Sequence, residues 1–185
     1  TTFIKLLLRL YDVTEGEIFC NGINIKQFER RQYYEVFSAV FQEILPLGFS
    51  VAENIGVSDA LQVDRQRVNL CIQRAGLSDK INALKYGVDT CVLKIIDDEG
   101  IEFSGGEKQK LMIARALYKN GAVMVLDEPT AALDPLAERE IYEKFNDLIE
   151  NKTTIYVSHR LASTRFCDAI ALFENGRLVE YGTHE

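Results

Sequence analysis

Two adjacent acids, Asp127 and Glu128, follow directly on the apolar run Val123-Met124-Val125-Leu126. In phosphate chemistry the first acid of such a pair can hold magnesium, and the second can orient or deprotonate an attacking water. The run shows no alternation, as expected of a strand buried on both faces. Open α/β sheets bind ligands at the carboxyl ends of their strands, which is where this pair falls. The plain alternative is a solvated turn after a core strand that Pro129 ends. A second candidate is Ser104-Gly105-Gly106-Glu107, leading into Lys108 to Tyr118. Serine followed three residues later by glutamate is a capping box, a purely structural device. The paired glycines lower helix propensity without being needed for that cap, yet they let a phosphate approach the N–H groups of a helix N-terminus.

Three further residues have the right chemistry and weaker context. His159 follows Thr154-Ile155-Tyr156-Val157-Ser158, so it too falls at a strand's carboxyl end, where it can contact a phosphate or serve as an ordinary satisfied histidine. Gln42 follows Val40-Phe41 in the same manner, although glutamine at a strand end is common. Asp134, with Pro135 at the first helical position, is a well-formed N-cap.

The elements that must position these residues alternate along the chain. The opening run to Leu10 is helical in type, and Glu17 to Cys20, Asn21-Gly22 and Ile23 to Ile25 form a hairpin pattern. Val36 to Phe41 is a strand. From Val51 to about Leu84 the pattern is helical, with Asp64 as an N-cap and Gly76 as a stop. After the helix at Ser104 come a strand over Ala122 to Leu126, a helix beginning near Pro135, and a strand over Thr153 to Ser158. Ala169 to Phe173 and Arg177 to Tyr181 flank a second Asn-Gly turn at Asn175-Gly176. Strands alternating with helices predict an α/β fold whose sheet is mostly parallel at its centre, with antiparallel hairpins and an inserted helical segment.

Composition agrees with one domain of 185 residues, 47% hydrophobic and 26% charged. A net charge of -7 offers no basic surface for a nucleic-acid backbone, so no nucleic-acid partner is expected. Cys20, Cys71, Cys91 and Cys167 are too widely spaced for a zinc or redox pair, and read as packed thiols of a reducing compartment. The longest apolar stretches are far short of the roughly 20 residues that span a bilayer. Thr1 leads straight into Phe3-Ile4-Lys5-Leu6-Leu7-Leu8 without an initiator Met or a cap, as at a cut N-terminus.

In order, the chain reads Gln42; Phe103-Ser104-Gly105-Gly106-Glu107; Leu126-Asp127-Glu128-Pro129-Thr130; Ala131-Ala132-Leu133-Asp134; and Ser158-His159-Arg160. This resembles the nucleotide-binding domain of ABC transporters over essentially its whole length, the five motifs matching that family's Q-loop, signature, Walker B, D-loop and switch histidine. The resemblance implies a P-loop NTPase-like core over residues 1–185, partial at its N-terminus, with about 43–118 forming a helical subdomain that includes the signature. It also implies ATP and Mg2+ as ligands. Asp127 would hold magnesium through water, Glu128 would act on the hydrolytic water, and His159 would contact the γ-phosphate. Gln42 would sense magnesium and relay motion to a membrane domain. Ser104 and Gly106, with Gly105 and Glu107 beside them, would meet the γ-phosphate of ATP held by a second nucleotide-binding domain in a head-to-tail dimer, and Asp134 would cross that interface. Thr1 matches the hydroxyl that ligates magnesium, and Thr2 the residue after it.

Gly87-Val88-Asp89-Thr90, Asp98-Glu99-Gly100 and the segment from Gly176 to His184 look like the exporter branch, with membrane helices fused upstream and the domain at the cytoplasmic face of the membrane. There Glu99 would lie near the coupling segment of the partner's membrane domain, unless it is simply a solvated acid. Two departures from the family pattern matter. The signature carries Glu107 where glutamine is commoner, which keeps the capping box but adds negative charge where phosphate should arrive. Glu107→Gln is therefore expected to keep the fold and to leave ATP affinity unchanged or modestly higher. The Gly-rich loop and lysine that wrap the phosphates should stand immediately before Thr1, and the adenine-stacking aromatic further upstream. Without them these residues alone are not expected to hydrolyse ATP. Two other functions stay open on the residues alone. A soluble ABC ATPase of DNA repair, chromosome organisation or cofactor assembly would be expected to carry long insertions or basic surfaces. A regulatory half-site would bind ATP without hydrolysing it, a reading that the intact Glu128 and His159 oppose.

Overall fold

A computed structural model describes residues 2–43, 45–57, 63–95, 98–129, 152–159, 164–165 and 167–184. Thr1, Asp134 and the helix expected near Pro135 lie outside the described residues. The chain opens with helix α1 (Thr2–Leu7), and strands β1 (Phe19–Cys20) and β2 (Ile23–Asn24) then pair antiparallel. Their turn is the expected one: Asn21 at φ 50° and Gly22 at φ 79° both take the left-handed conformation that a two-residue hairpin turn of this type demands. Helix α2 (Arg30–Glu35) comes next and has no counterpart in the sequence reading. Its N-cap is Glu29, whose carboxylate accepts from the Gln32 N–H at 2.8 Å, an acid outside the usual capping set.

Strands β3 (Phe37–Val40), β4 (Val123–Asp127) and β5 (Thr153–Val157) form a parallel sheet in the order β3-β4-β5. Alternate residues of a strand point to opposite faces, and here each face has its own core. Val125 packs in a cluster with Ile4, Leu8, Ile25, Tyr33 and Phe37. Met124 and Leu126 instead join Val40 and the apolar residues of the helices on the other side. That is why β4 carries no alternation: both faces are covered, and every position wants an apolar side chain.

The helices are α3 (Val51–Ile55), α4 (Arg65–Arg74), α5 (Ser78–Asn82) and α6 (Gly105–Lys119). Asp64 caps α4 as expected, accepting from the N–H groups of Gln66 and Arg67 at 2.9 and 3.0 Å. Gly76 stops it, at φ 70°. Helix α6 leaves its charged residues Lys108, Lys110, Arg115 and Lys119 half-buried and packs most of the rest. Gln109, Leu111, Met112, Ile113, Ala114, Ala116, Leu117 and Tyr118 are all buried, because α3, α4 and β3 pack around it. Its exit is fixed by a close approach: a Cβ on Gly121 would stand 2.6 Å from the carbonyl carbon of Phe37. The Gly121 N–H donates to the buried Ser38 hydroxyl at 2.7 Å. Strands β6 (Ile170–Glu174) and β7 (Arg177–Gly182) close the described chain as an antiparallel hairpin around Asn175 and Gly176.

Candidate functional site

Because β3, β4 and β5 run parallel, their carboxyl ends lie along one edge. Register pairs Val40 with Leu126, Leu126 with Tyr156, and Asp127 with Val157. Gln42, Asp127, Glu128 and His159 therefore come to the same edge although they are far apart in sequence. Gln42 is exposed there, whereas Asp127 is 1% exposed.

The two acids of β4 differ in their surroundings. Among the described residues, neither carboxylate oxygen of Asp127 has a hydrogen-bond partner. A buried carboxylate without partners costs several kcal/mol unless a donor or cation reaches it, so this group suits a hard divalent ion that takes oxygen ligands. Among the described residues no three His, Cys, Asp or Glu side chains converge on a metal-sized site. An ion at Asp127 would thus complete its shell with waters and ligand oxygens, the habit of magnesium.

Glu128 stands at φ 50°, a left-handed conformation that costs free energy in a residue with a side chain. Among the described residues, three contacts hold it. Its N–H donates to the Val157 carbonyl at 3.0 Å, and its carbonyl accepts from the Gln109 side-chain amide at 3.4 Å. Its Oε1 lies 2.9 Å from His159 Nε2, a hydrogen bond when Nε2 carries the proton. The Glu128 side chain is 20% exposed and that of His159 86%, so the pair faces outward from a dry edge. A carboxylate held beside an imidazole at a strand end can accept a proton from a water, while the imidazole donates to an anionic oxygen.

Helix α6 runs back along the sheet, its last residues reaching the start of β3: Lys119 Nζ donates to the Tyr34 carbonyl at 2.8 Å. Its first turn therefore lies at the carboxyl edge. Ser104 is the N-cap and the capping box is complete, with Glu107 N–H donating to Ser104 Oγ at 3.3 Å and Ser104 N–H to Glu107 Oε2 at 2.8 Å. Ser104 lies roughly 7 Å along the helix axis beyond Gln109, at 1.5 Å per residue. No hydrogen bond or ion pair among the described residues joins Ser104, Gly105 or Gly106 to Glu128 or His159. Partial burial pushes the Glu107 carboxyl up, but the Ser104 N–H, the Lys80 ammonium at 3.2 Å and the Ser104 hydroxyl outweigh it and hold the carboxyl below its ordinary range.

Thr2 is exposed at the start of α1. Glu99 is an exposed acid that accepts from Lys85 Nζ at 3.2 Å and from the Tyr86 hydroxyl at 2.9 Å. Four residues that the sequence reading did not single out support the site. Gln109 props Glu128, and Lys80 faces Glu107. The fully buried Asn54 binds the main chain of Leu47, Phe49 and Ser50, and accepts from Arg115 of α6 at 3.1 Å. Arg115 Nε also donates to the Asn54 carbonyl at 2.6 Å. Only a polar residue at a buried helical position, such as Gln109 or Arg115, hinted at any of these.

No helix among the described residues is long and apolar enough to cross a membrane. A sequence profile described as ABC transporter matches residues 1–131. The chain is 37% identical over 187 residues to the subtilin transport ATP-binding protein SpaT of Bacillus subtilis, which it matches over 100% of its own length and 30% of the relative's. It is 36% identical to an ATP-dependent lipid A-core flippase of a Polaromonas species, again over 100% of this chain and 30% of the relative. Among solved structures, a bacterial Atm1-family ABC exporter with ATP bound superposes at a TM-score of 0.89 and 33% identity, over 99% of this chain and 31% of that one. This chain thus spans about a third of its relatives. The order of its motifs, the parallel sheet that gathers them and a likeness that runs the length of the chain agree on one origin: it belongs to the ABC transporter family, as an ATP-binding domain of the exporter type.

Proposed function

We propose that this chain is the ATP-hydrolysing domain of a longer exporter, working at the cytoplasmic face of the membrane. One observation carries the catalytic reading. At a single sheet edge, a buried carboxylate with no partner among the described residues stands next to a strained Glu128 held 2.9 Å from His159. Glu128 orients the attacking water and accepts its proton as the water oxygen bonds to the γ-phosphorus and the bond to the β–γ bridging oxygen breaks. His159 donates to a γ-phosphate oxygen. Asp127 would hold Mg2+ through water, with Gln42 and the Thr1 hydroxyl as its further ligands and Thr2 beside them. The ion would supply positive charge against the β- and γ-phosphates.

Ser104, Gly105, Gly106 and Glu107 form the signature turn that meets ATP on a second nucleotide-binding domain. In support, no bond among the described residues joins them to this chain's own Glu128 or His159, and their capped helix end directs N–H groups outward. Asp134 belongs to the same head-to-tail interface. Residues 43–118 form the helical subdomain, a reading supported by the core shared by α3 to α6. A membrane domain within the longer protein selects the cargo.

The test is Glu128→Gln in the full-length transporter. Steady-state hydrolysis should nearly vanish while ATP still binds and holds the two domains together. Undiminished turnover would defeat the reading.

A further inference from the structure

Glu107 sets a physical problem. Its carboxylate closes the capping box and suits the positive end of α6, yet the same charge repels the terminal phosphate that this turn is read as receiving. The two oxygens of that carboxylate are both engaged. Oε2 accepts from the Ser104 N–H, and Oε1 lies 3.2 Å from Lys80 Nζ. Lys80 comes from a different helix. It is held in place by α5, whose Ile81 is 3% exposed and packs in the core shared with α6. A second tie fixes the same approach: Lys110 Nζ of α6 donates to the Gly76 carbonyl at 3.3 Å, between α4 and α5. The side chains of Lys80 and Glu107 are 38% and 27% exposed, so solvent screens the pair only in part.

We propose that Lys80 sets the ATP affinity of the signature turn by neutralising Glu107, so that the end of α6 keeps its attraction for a phosphate. This rests on the assignment of Ser104 to Glu107 given above. Lys80 does not touch the nucleotide; it acts through Glu107. A lysine that merely tied α5 to α6 would change stability and leave ATP binding alone.

The test uses the full-length transporter. ATP-binding isotherms are measured in the Glu128→Gln background, where turnover does not interfere, and KM and kcat in the otherwise unaltered protein. Lys80→Met should weaken binding roughly two- to fivefold and raise KM by the same factor, with kcat little changed. Lys80→Gln, which keeps a donor to Glu107 without the charge, should behave as Lys80→Met does, and Lys80→Arg as the parent. Glu107→Gln should bind ATP at least as tightly as the parent, and the double variant Lys80→Met with Glu107→Gln should return to within about twofold of it. Unchanged binding in both neutral Lys80 variants, with a lowered thermal midpoint, would overturn the inference and leave only a helix tie. A double variant as weak as Lys80→Met alone would also overturn it. Failure of the underlying site assignment has a separate signature: Ser104→Ala would leave ATP dependence untouched, and Glu128→Gln would hydrolyse normally.

Discussion

The carboxyl edge of the parallel sheet and the first turn of α6 both present acids beside backbone N–H groups, and they treat the charge in opposite ways. At the sheet edge Asp127 is buried with both oxygens unpartnered among the described residues, and Glu128 is held in a left-handed conformation by its neighbours. At the helix end Ser104 and Glu107 satisfy each other, and Lys80 covers the remaining oxygen. The first region stores unmet electrostatic demand that a cation and a phosphate can relieve. The second is complete as a piece of protein and offers only its outward N–H groups. On the proposed reading, the sheet edge leaves Asp127 open to a cation and holds Glu128 against His159, while the helix end is built rigid beforehand for recognition.

Asp127→Asn gives the largest test of that contrast. In the full-length transporter, turnover should fall at least roughly a hundredfold. The thermal midpoint of the nucleotide-free protein should hold or rise, because an uncompensated buried charge is gone. A lowered midpoint with normal turnover would mean that Asp127 has a structural partner. Arg115→Met comes next. It removes the donors to the Asn54 carbonyl and side chain beneath α6, and should cost about 2 kcal/mol in chemical denaturation. No loss would mean that this clamp does not tie α6 to α3.

Ser104→Ala should cost about 1 kcal/mol through the lost cap. Ser104→Asn should restore that stability without restoring ATP-dependent turnover, which separates the capping role of the hydroxyl from its proposed role toward phosphate. The smallest effect is one of pH. The Glu107 carboxyl is held below its ordinary value in the folded protein, so its contribution to stability is full above the unfolded carboxyl pKa of about 4.3. That contribution fades as pH falls through the lower folded value. Thermal midpoints of Glu107→Gln and the parent should therefore differ most near neutrality and converge in acid. A gap that persists at low pH would show that charge is not what stabilises this turn.

Much of the local structure was legible because it follows from short-range rules. The Asn-Gly pairs at 21–22 and 175–176 became two-residue turns, Asp64 and Ser104 became caps, and the apolar run before Asp127 became a doubly covered strand. Helix α2 was missed because its cap is a glutamate. The burial of the polar Gln109 within α6 was missed because periodicity does not show which elements pack against a given position.

The sequence by itself determined the residue types, their order along the chain and the family to which the order belongs, since capping, turn formation and strand burial act over a few residues and leave a local pattern. Only the tertiary structure decided which charges meet. The 2.9 Å contact of Glu128 with His159, the isolation of Asp127, the Asn54–Arg115 clamp and the Lys80–Glu107 pair all join residues on different elements or depend on what packs around them. Electrostatic interactions depend on distance and on the surrounding dielectric, and neither exists until the elements have packed.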